Sequence, residues 1–537
     1  MKLLLQGWQF FSPQKRLGMN KILVLLLYWL GAINCSKNPE KVPPLPEDPP
    51  VEISKIPFDQ FMGVNAFVDD PIERMQAVGF IREYHNWGWD EGNGRDDYPA
   101  YPNNQIKWAP SEVNPWNFDD FYGRVRSAGL LISPCTQGSV EWLSHEGEFR
   151  SSNKPLDRPG LSPTDPNSYQ AKAHYMYQFA ARYGSTKVDE GKLTLAPDQE
   201  KKSGLGLIHY LEDWNEQDKD WEGRDAQFSP EEYAAMLSAS YDGHANSMKS
   251  GSGTFGIKNA DPQTKVVMGG LATPSVEYLD KMKRWFEANR PDKKFAADVI
   301  NVHWYTWKDG RGWQGGGPAL SPEQGKIKEL MQSFVEYRDK NLPGLEVWIS
   351  EFGWDTNPAS PLSPPSIGPF NVEEVQAQWL VRAYLEFAAA GVDRAQMFML
   401  RDVDPKGTGW FSSSGLVGPK GDWSPKVSWF YVYTLKETLK GMRFLGEERS
   451  SDPKIRIYKF KDMASSKGAY AIWAATSENY VVNDFAVSIP ESSGEARMVQ
   501  LQPGEKNGKL SSLSITNQQV KLKVSERPIF VLVNHIQ

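Results

Sequence analysis

Ile208-His209-Tyr210-Leu211-Glu212-Asp213-Trp214-Asn215-Glu216-Gln217-Asp218 is an apolar run that ends abruptly in an amide and a carboxylate side by side. About 135 residues later a second run, Leu345-Glu346-Val347-Trp348-Ile349-Ser350-Glu351-Phe352-Gly353-Trp354-Asp355, ends in the same way on Glu351. Short apolar runs bounded by polar sequence read as buried strands of a parallel sheet. When such strands close into a barrel, their C-terminal ends form the face where side chains from different strands meet. Asn215, Glu216 and Glu351 are expected on that face.

Working outward, strand-like and helix-like patterns alternate on both sides, as a parallel sheet with crossover helices requires. The strands read as Phe61–Phe67, Phe80–Tyr84, Leu130–Ser133, the opening stretch, Lys265–Gly270, Asp298–His303, the second stretch and Ala395–Leu400. The helices read as Asp70–Val78, Asn117–Ala128, Ser168–Tyr183, Pro230 to about Met248, Val276–Asn289, Glu323–Lys340, Val372–Ala390 and Ser424–Lys440. Eight such pairs make an α/β fold, a (β/α)8 or TIM barrel, over 58–441, with insertions that lengthen it beyond the usual ~250 residues. The two motifs fall on strands four and seven.

After Gly441 the pattern changes to short period-two strands separated by Gly, Ser and Asn, among them Ile455–Phe460, Ala469–Trp473, Phe485–Ile489 and Ile529–Val533. This predicts a small C-terminal antiparallel β-sandwich over 442–537, either a carbohydrate-binding module or a domain that braces the barrel. At the other end, Met19-Asn20-Lys21 precedes the apolar run Ile22–Leu30, which is too short to span a bilayer, and then Gly31-Ala32-Ile33-Asn34-Cys35. The segment 1–35 resembles a bacterial lipoprotein signal starting at Met19, with Cys35 as the lipidation site; an ordinary secretory signal is the alternative. The Pro-rich segment 36–57 reads as an extended linker. The expected location is therefore the bacterial cell envelope, lipid-anchored at the outer membrane or cell surface, or else secreted or periplasmic.

In a chain of 537 residues, the net charge of -7 argues against nucleic-acid binding, whose footprint is basic. Two Cys exclude a disulfide framework. Seven scattered His without an H-E-x-x-H motif give no metal site, and no cofactor is expected. Twenty Trp and 21 Tyr exceed what a core needs, and a flat apolar face with a polar edge suits a sugar ring. Each Trp taken singly otherwise reads as packing for the barrel helices.

Two strand-end carboxylates are what hydrolysis of a glycosidic bond requires, one to protonate the leaving oxygen and one to attack the anomeric carbon. Either Glu alone would read as a salt-bridge partner. The chain resembles the clan A glycoside hydrolases, through Trp214-Asn215-Glu216-Gln217-Asp218, which is similar to the W-N-E-P-D motif of family 39 with Gln217 in place of Pro. Ile349–Trp354 is similar to the nucleophile strand of family 5, and a trailing β-sandwich is common in families 39 and 30. The resemblance implies Glu216 as acid/base, Glu351 as nucleophile and Asn215 as donor to the sugar 2-hydroxyl. By the same comparison, Arg82 lies near the nucleophile, or else forms a structural pair inside the barrel. His303 and Tyr305 follow strand six as His-x-Tyr, as in relatives where the Tyr hydroxyl orients the nucleophile, or else His303 is a core histidine.

His85 and Trp87 are candidate sugar-contacting loop residues after strand two. Many clan members carry a Trp platform at the end of strand eight, whereas here that end reads Leu400-Arg401-Asp402-Val403-Asp404. Trp410 is a candidate replacement surface. Arg401 is a candidate contact for an anionic sugar substituent, or a partner of Asp402 or Asp404. The expected substrate is a β-linked polysaccharide or oligosaccharide, cut internally across a groove built by the loops 84–116 and 304–317. The alternatives are exo-action on a terminal sugar, a non-catalytic surface glycan-binding protein, and a structural lipoprotein whose carboxylates are far apart. Contact with a membrane is expected only through the anchor.

Overall fold

A computed structural model describes residues 55–91, 116–143, 149–195, 199–248, 253–308, 317–490 and 494–537. Cys35, the signal segment and most of the linker lie outside the described residues, as do the middles of the loops 84–116 and 304–317.

Eight parallel strands close into a barrel in sequence order: β1 (Met62–Ala66), β2 (Phe80–Asn86), β3 (Leu131–Gln137), β4 (Tyr210–Asp213), β5 (Lys265–Met268), β6 (Val299–His303), β7 (Glu346–Glu351) and β8 (Arg394–Met397). The crossover helices start where the sequence supplies caps. Asn117 accepts from the Asp120 amide, Ser275 from Tyr278 and Asn371 from Glu374, and Ser229 forms a capping box with Glu232 ahead of Pro230. The helix Pro230–Asn246 is not continuous as its pattern suggested: Asp242–Ala245 leave helical geometry, with Gly243 at φ 66.

Inside the barrel, the side chains form tiers because alternate strand residues face the same way. Toward the N-terminal end, Phe80, Tyr210, Val267, Val299 and Trp348 form an apolar plug, with the Arg394 guanidinium lying over three of its rings. One step up is a polar tier, Asn65, Arg82, Glu212 and Asn301, all fully buried. Above it stand Tyr84, His303 and Glu351. The polar tier thus sits above an apolar plug, with Arg394 as a charged group packed against the plug itself.

Beyond the barrel, β9 (Met442–Glu447), β10 (Ile455–Asp462), β11 (Gly468–Ala474), β12 (Val481–Ser488), β13 (Glu495–Gln500), β14 (Lys509–Ser514), β15 (Gln519–Ser525) and β16 (Ile529–Val533) form two antiparallel sheets. Six strands run in the order β14-β13-β16-β11-β10-β9, and β12 pairs with β15. Ile457, Ile472, Phe485, Leu522 and Val531 belong to the core between them. The other face of the large sheet packs on the barrel. Trp473 Nε1 donates to Glu323 Oε1 at 2.8 Å, Tyr458 OH donates to Glu386 Oε1 at 2.9 Å, and Phe460 meets Phe58 edge-on at 5.1 Å. No helix among the described residues is long and apolar enough to cross a membrane.

Candidate active site

β4 stops at Asp213, short of Asn215 and Glu216. Trp214 and Glu216 both have positive φ, 83° and 50°, in the left-handed region that non-glycine residues rarely occupy. A straight strand points neighbours to opposite faces. The two left-handed turns let Asn215 and Glu216 both serve the barrel mouth. Contacts with the chain after β5 hold them there: Glu216 N donates to Gly270 O at 3.1 Å, and Gln217 Nε2 to Gly269 O at 2.8 Å. The Asp218 carboxylate accepts from the amides of Ala272 and Thr273, each at 2.8 Å. Gln217, where the resembling motif has Pro, is therefore an anchor for the loop.

Glu351 is turned inward by a bulge. Val302 pairs with Ile349 but His303 pairs with Glu351, so Ser350 is an extra residue whose carbonyl accepts from Asn65 Nδ2 at 2.8 Å. Without the bulge, the inward series Glu346, Trp348, Ser350 would send Glu351 out of the barrel.

The Glu351 carboxylate is enclosed by donors. Arg82 Nη1 reaches Oε1 at 2.9 Å, the Tyr84 hydroxyl also donates to Oε1, and Tyr305 OH donates to Oε2 at 2.9 Å. Burial pushes this carboxyl up; His303, Arg82 and the two tyrosines outweigh it, and the group is held below its ordinary value of 4.5. Glu216 is more open, with 18% of its side chain exposed against 7% for Glu351. His303 bridges the two: Nδ1 is 3.2 Å from Glu216 Oε1, and Nε2 is 3.5 Å from Glu351 Oε1. One ligating atom from each of Glu216, His303 and Glu351 lies within 4.8 Å of the others.

Arg82 satisfies both expectations held for it. It donates bidentately to Glu212 from Nε at 2.7 Å and Nη2 at 2.8 Å, and it also touches Glu351, Asn65 Oδ1 and Cys135 Sγ. Arg82 Nη2 also donates to Asn215 Oδ1 at 2.7 Å. With its oxygen so occupied, the Asn215 amide nitrogen has no acceptor among the described residues and remains a donor for a ligand. The Cys135 thiol, raised chiefly by burial, stays protonated. Tyr305 continues into an aromatic wall, with Phe411 at 4.5 Å and Trp307 at 6.5 Å, and Trp410 packs on Trp307 at 5.4 Å.

Three expectations are corrected. His85 is fully buried behind β2, its Nε2 2.7 Å from Asp90 Oδ2 and its ring against Phe118 and Phe179; burial opposes its protonation, but Asp90 and Glu83 raise it to about 10. Trp87 is likewise buried, bonded to Glu91 and stacked on Tyr175. Neither can touch a sugar. Arg401 pairs with Asp69 and Asp70, not with Asp402 or Asp404, and its guanidinium lies over Phe67 at 4.7 Å. It is committed to the fold. β8 also ends earlier than read: the aromatic at its end is Phe398, whose ring lies 6.1 Å from Tyr84. Sequence reasoning passed over Tyr84, Asn65 and Glu212, although Tyr84 shares the strand phase of Arg82.

Gly270 gives His303 its place. A Cβ there would lie 2.0 Å from His303 Nε2 and 2.4 Å from Cδ2. Gly270→Ala is expected to displace the ring and lower kcat by about a hundredfold, the usual cost of misplacing an active-site group by an ångström. Unchanged kcat would remove His303 from the working geometry.

No protein-family model matches the sequence, and no curated protein matches it. Solved structures do match. A family 39 glycoside hydrolase from the gut symbiont Bacteroides cellulosilyticus WH2 superposes with TM-score 0.57 at 16% identity, over 89% of this chain and 81% of that one. A glucosidase from Croceicoccus marinus gives 0.53 at 13%, over 91% and 97%. A family 30 endoxylanase from Clostridium papyrosolvens C71 gives 0.51 at 9%, over 90% and 98%. The likeness is one of fold. It spans barrel and β-sandwich together, and these identities are too low to carry a substrate with it.

Proposed function

We propose that the chain is a retaining glycoside hydrolase that cuts a β-linked polysaccharide internally by double displacement. The observation that carries this reading is the carboxylate pair at the barrel mouth, with one oxygen of each within 4.8 Å. Retaining enzymes hold their two carboxyls about 5–5.5 Å apart, whereas inverting enzymes need about 6.5–9.5 Å to admit a water. The fold shared with glycoside hydrolases of families 39 and 30 supports the same class. Internal cutting is supported by the length and Trp content of the sequence insertions 84–116 and 304–317 after strands two and six, as a long substrate cleft requires.

The chemistry follows from the donors around each acid. Glu351, kept ionised, is the nucleophile. Its Oε1 accepts from Arg82 and Tyr84, while Oε2 accepts among the described residues only from Tyr305, so Oε2 keeps a lone pair for the anomeric carbon. As that C–O bond forms, the bond to the leaving oxygen breaks and Glu216 delivers its proton there. Water then enters, Glu216 takes its proton, and the ester to Glu351 is displaced with net retention. Asn215 Nδ2 is the donor available to the neighbouring sugar hydroxyl. Glu216, His303 and Glu351 are also the one group among the described residues spaced to ligate a metal ion. The Arg82 guanidinium beside Glu351 already supplies a fixed positive charge at that point, so the set suits a developing sugar cation held by carboxylates better than a dication.

The test is Glu216→Gln against a panel of plant, fungal and algal polysaccharides and a dinitrophenyl glycoside of the sugar released. Loss of the acid is expected to cost about 10²–10⁴-fold on the polysaccharide. The dinitrophenyl substrate, whose leaving group needs no proton, is expected to give a burst and then stall, and azide to restore turnover. Equal loss on both substrates would remove Glu216 as the acid. Product sizes separate internal from terminal cutting.

A further inference from the structure

Lys219 lies three residues beyond Glu216 on the same anchored loop, its amide donating to Glu216 O at 3.2 Å. Its ammonium sits 5.7 Å from the centre of the Trp214 ring. A second ammonium, that of Lys172, stands at the same 5.7 Å from that ring. The two differ in what they pair with. Lys172 has Asp213 Oδ1 at 3.1 Å and Thr136 O at 3.3 Å. Lys219 Nζ has no ion pair or hydrogen bond among the described residues. The acids beside it are engaged elsewhere: Asp218 with the amides of Ala272 and Thr273, Glu222 with Ser152 Oγ at 3.3 Å, and Glu216 with His303.

Burial lowers the Lys219 ammonium from its ordinary value, while Glu216, ahead of Glu222 and Asp218, pulls the other way. A half-buried cation with no bonded partner among the described residues, in the field of the acid but not bonded to it, is an energetic liability unless something else pairs with it. Two residues on, Trp221 is exposed, the flat apolar surface a sugar ring stacks on. Because Glu216 protonates the leaving oxygen, the loop that carries it borders the leaving-group side of the scissile bond.

We propose that Lys219, beside Trp221, forms a leaving-group subsite that selects glycans bearing an anionic substituent, a carboxylate or a sulfate ester, on the sugar next to the bond cut. The proposal rests on the glycosidase reading above and deepens it. A charge-assisted hydrogen bond formed to that group in a partly desolvated site contributes about 10- to 100-fold in specificity.

The experiment uses matched polymers: glucuronoxylan against its carboxyl-reduced form, and carrageenan against its desulfated form. Each is measured with the wild type, Lys219→Met and Lys219→Arg. The wild type is expected to prefer one charged polymer over its neutral partner in kcat/KM, and which pair shows it distinguishes carboxylate from sulfate. Lys219→Met is expected to lower that preference about 10- to 100-fold and Lys219→Arg to keep most of it. The same ratios are read as Kd on a Glu351→Ala background, so the subsite is decided even if nothing is hydrolysed. Absence of all hydrolysis overturns the glycosidase reading. Equal handling of charged and neutral polymers by the wild type, in rate and in binding, overturns the subsite, as does a preference that Lys219→Met leaves intact.

Discussion

On the proposed mechanism, Glu351→Ala is expected to lower kcat/KM on the proposed polysaccharide substrate about ten-thousandfold or more, since that mechanism then loses its nucleophile and its covalent route. Two features make the result diagnostic. The fold should survive the change, because Arg82 retains its bidentate partner Glu212 and the plug below is untouched. The truncation also opens a space on the face of the sugar that Glu351 occupied, so azide or formate can enter there. Azide is expected to restore turnover of a dinitrophenyl glycoside and to give a glycosyl azide of inverted configuration. In the intact protein the acid limb of the pH–rate profile should lie below 4.5, because Glu351 is held under that value and loses its charge only as pH falls through the lowered one. A variant within tenfold of wild type, or an azide product of retained configuration, would remove Glu351 from the role.

The barrel and its acid pair were legible in the sequence because both follow from patterns the chain must obey. Eight apolar runs alternate with helical periods, and two of those runs end in Glu. What was not legible lies where the chain breaks its own period. At Trp214 and Glu216 the backbone turns left-handed, and at Ser350 it inserts a residue, so simple alternation misplaces the very side chains that matter. The error also ran the other way at β2. Its phase turns Phe80, Arg82 and Tyr84 inward and Glu83 and His85 outward, under the helices Phe118–Ser127 and Gln170–Tyr183. Reading the strand as ended at Tyr84 made His85 and Trp87 look like loop residues free to meet a sugar, and hid Tyr84 itself. In the β-sandwich the missed strand Lys509–Ser514 is rich in Ser with no buried side chain and carries little apolar signal, whereas Gln519–Ser525, also passed over, alternates the buried Val520, Leu522 and Val524 with exposed residues and was legible.

The second large effect is expected at Arg82. Its guanidinium is fully buried, and its five N–H groups meet Glu212, Glu351, Asn65, Asn215 and Cys135. Arg82→Met leaves the fully buried Glu212 without its cation, still bonded to Asn301 Nδ2 at 3.0 Å and to the Gly270 amide at 3.3 Å but with its charge unmatched. Breaking such a pair from one side costs about 3–5 kcal/mol, which thermal unfolding would register as a clear drop in Tm. Removing both charges is a different matter, since replacing a buried pair by neutral groups of similar volume is often close to neutral. Arg82→Met with Glu212→Gln is therefore expected to recover most of the lost stability. It should not recover function. In both variants the Arg82 share of the attraction that, after that of His303, holds Glu351 down is gone while its burial remains, so its carboxyl rises and the acid limb of kcat/KM moves to higher pH. Asn215 also loses the partner that fixes its oxygen. A double variant restored in both Tm and acid limb would mean that Arg82 serves the fold alone, and that His303 and the tyrosines suffice to keep the nucleophile charged.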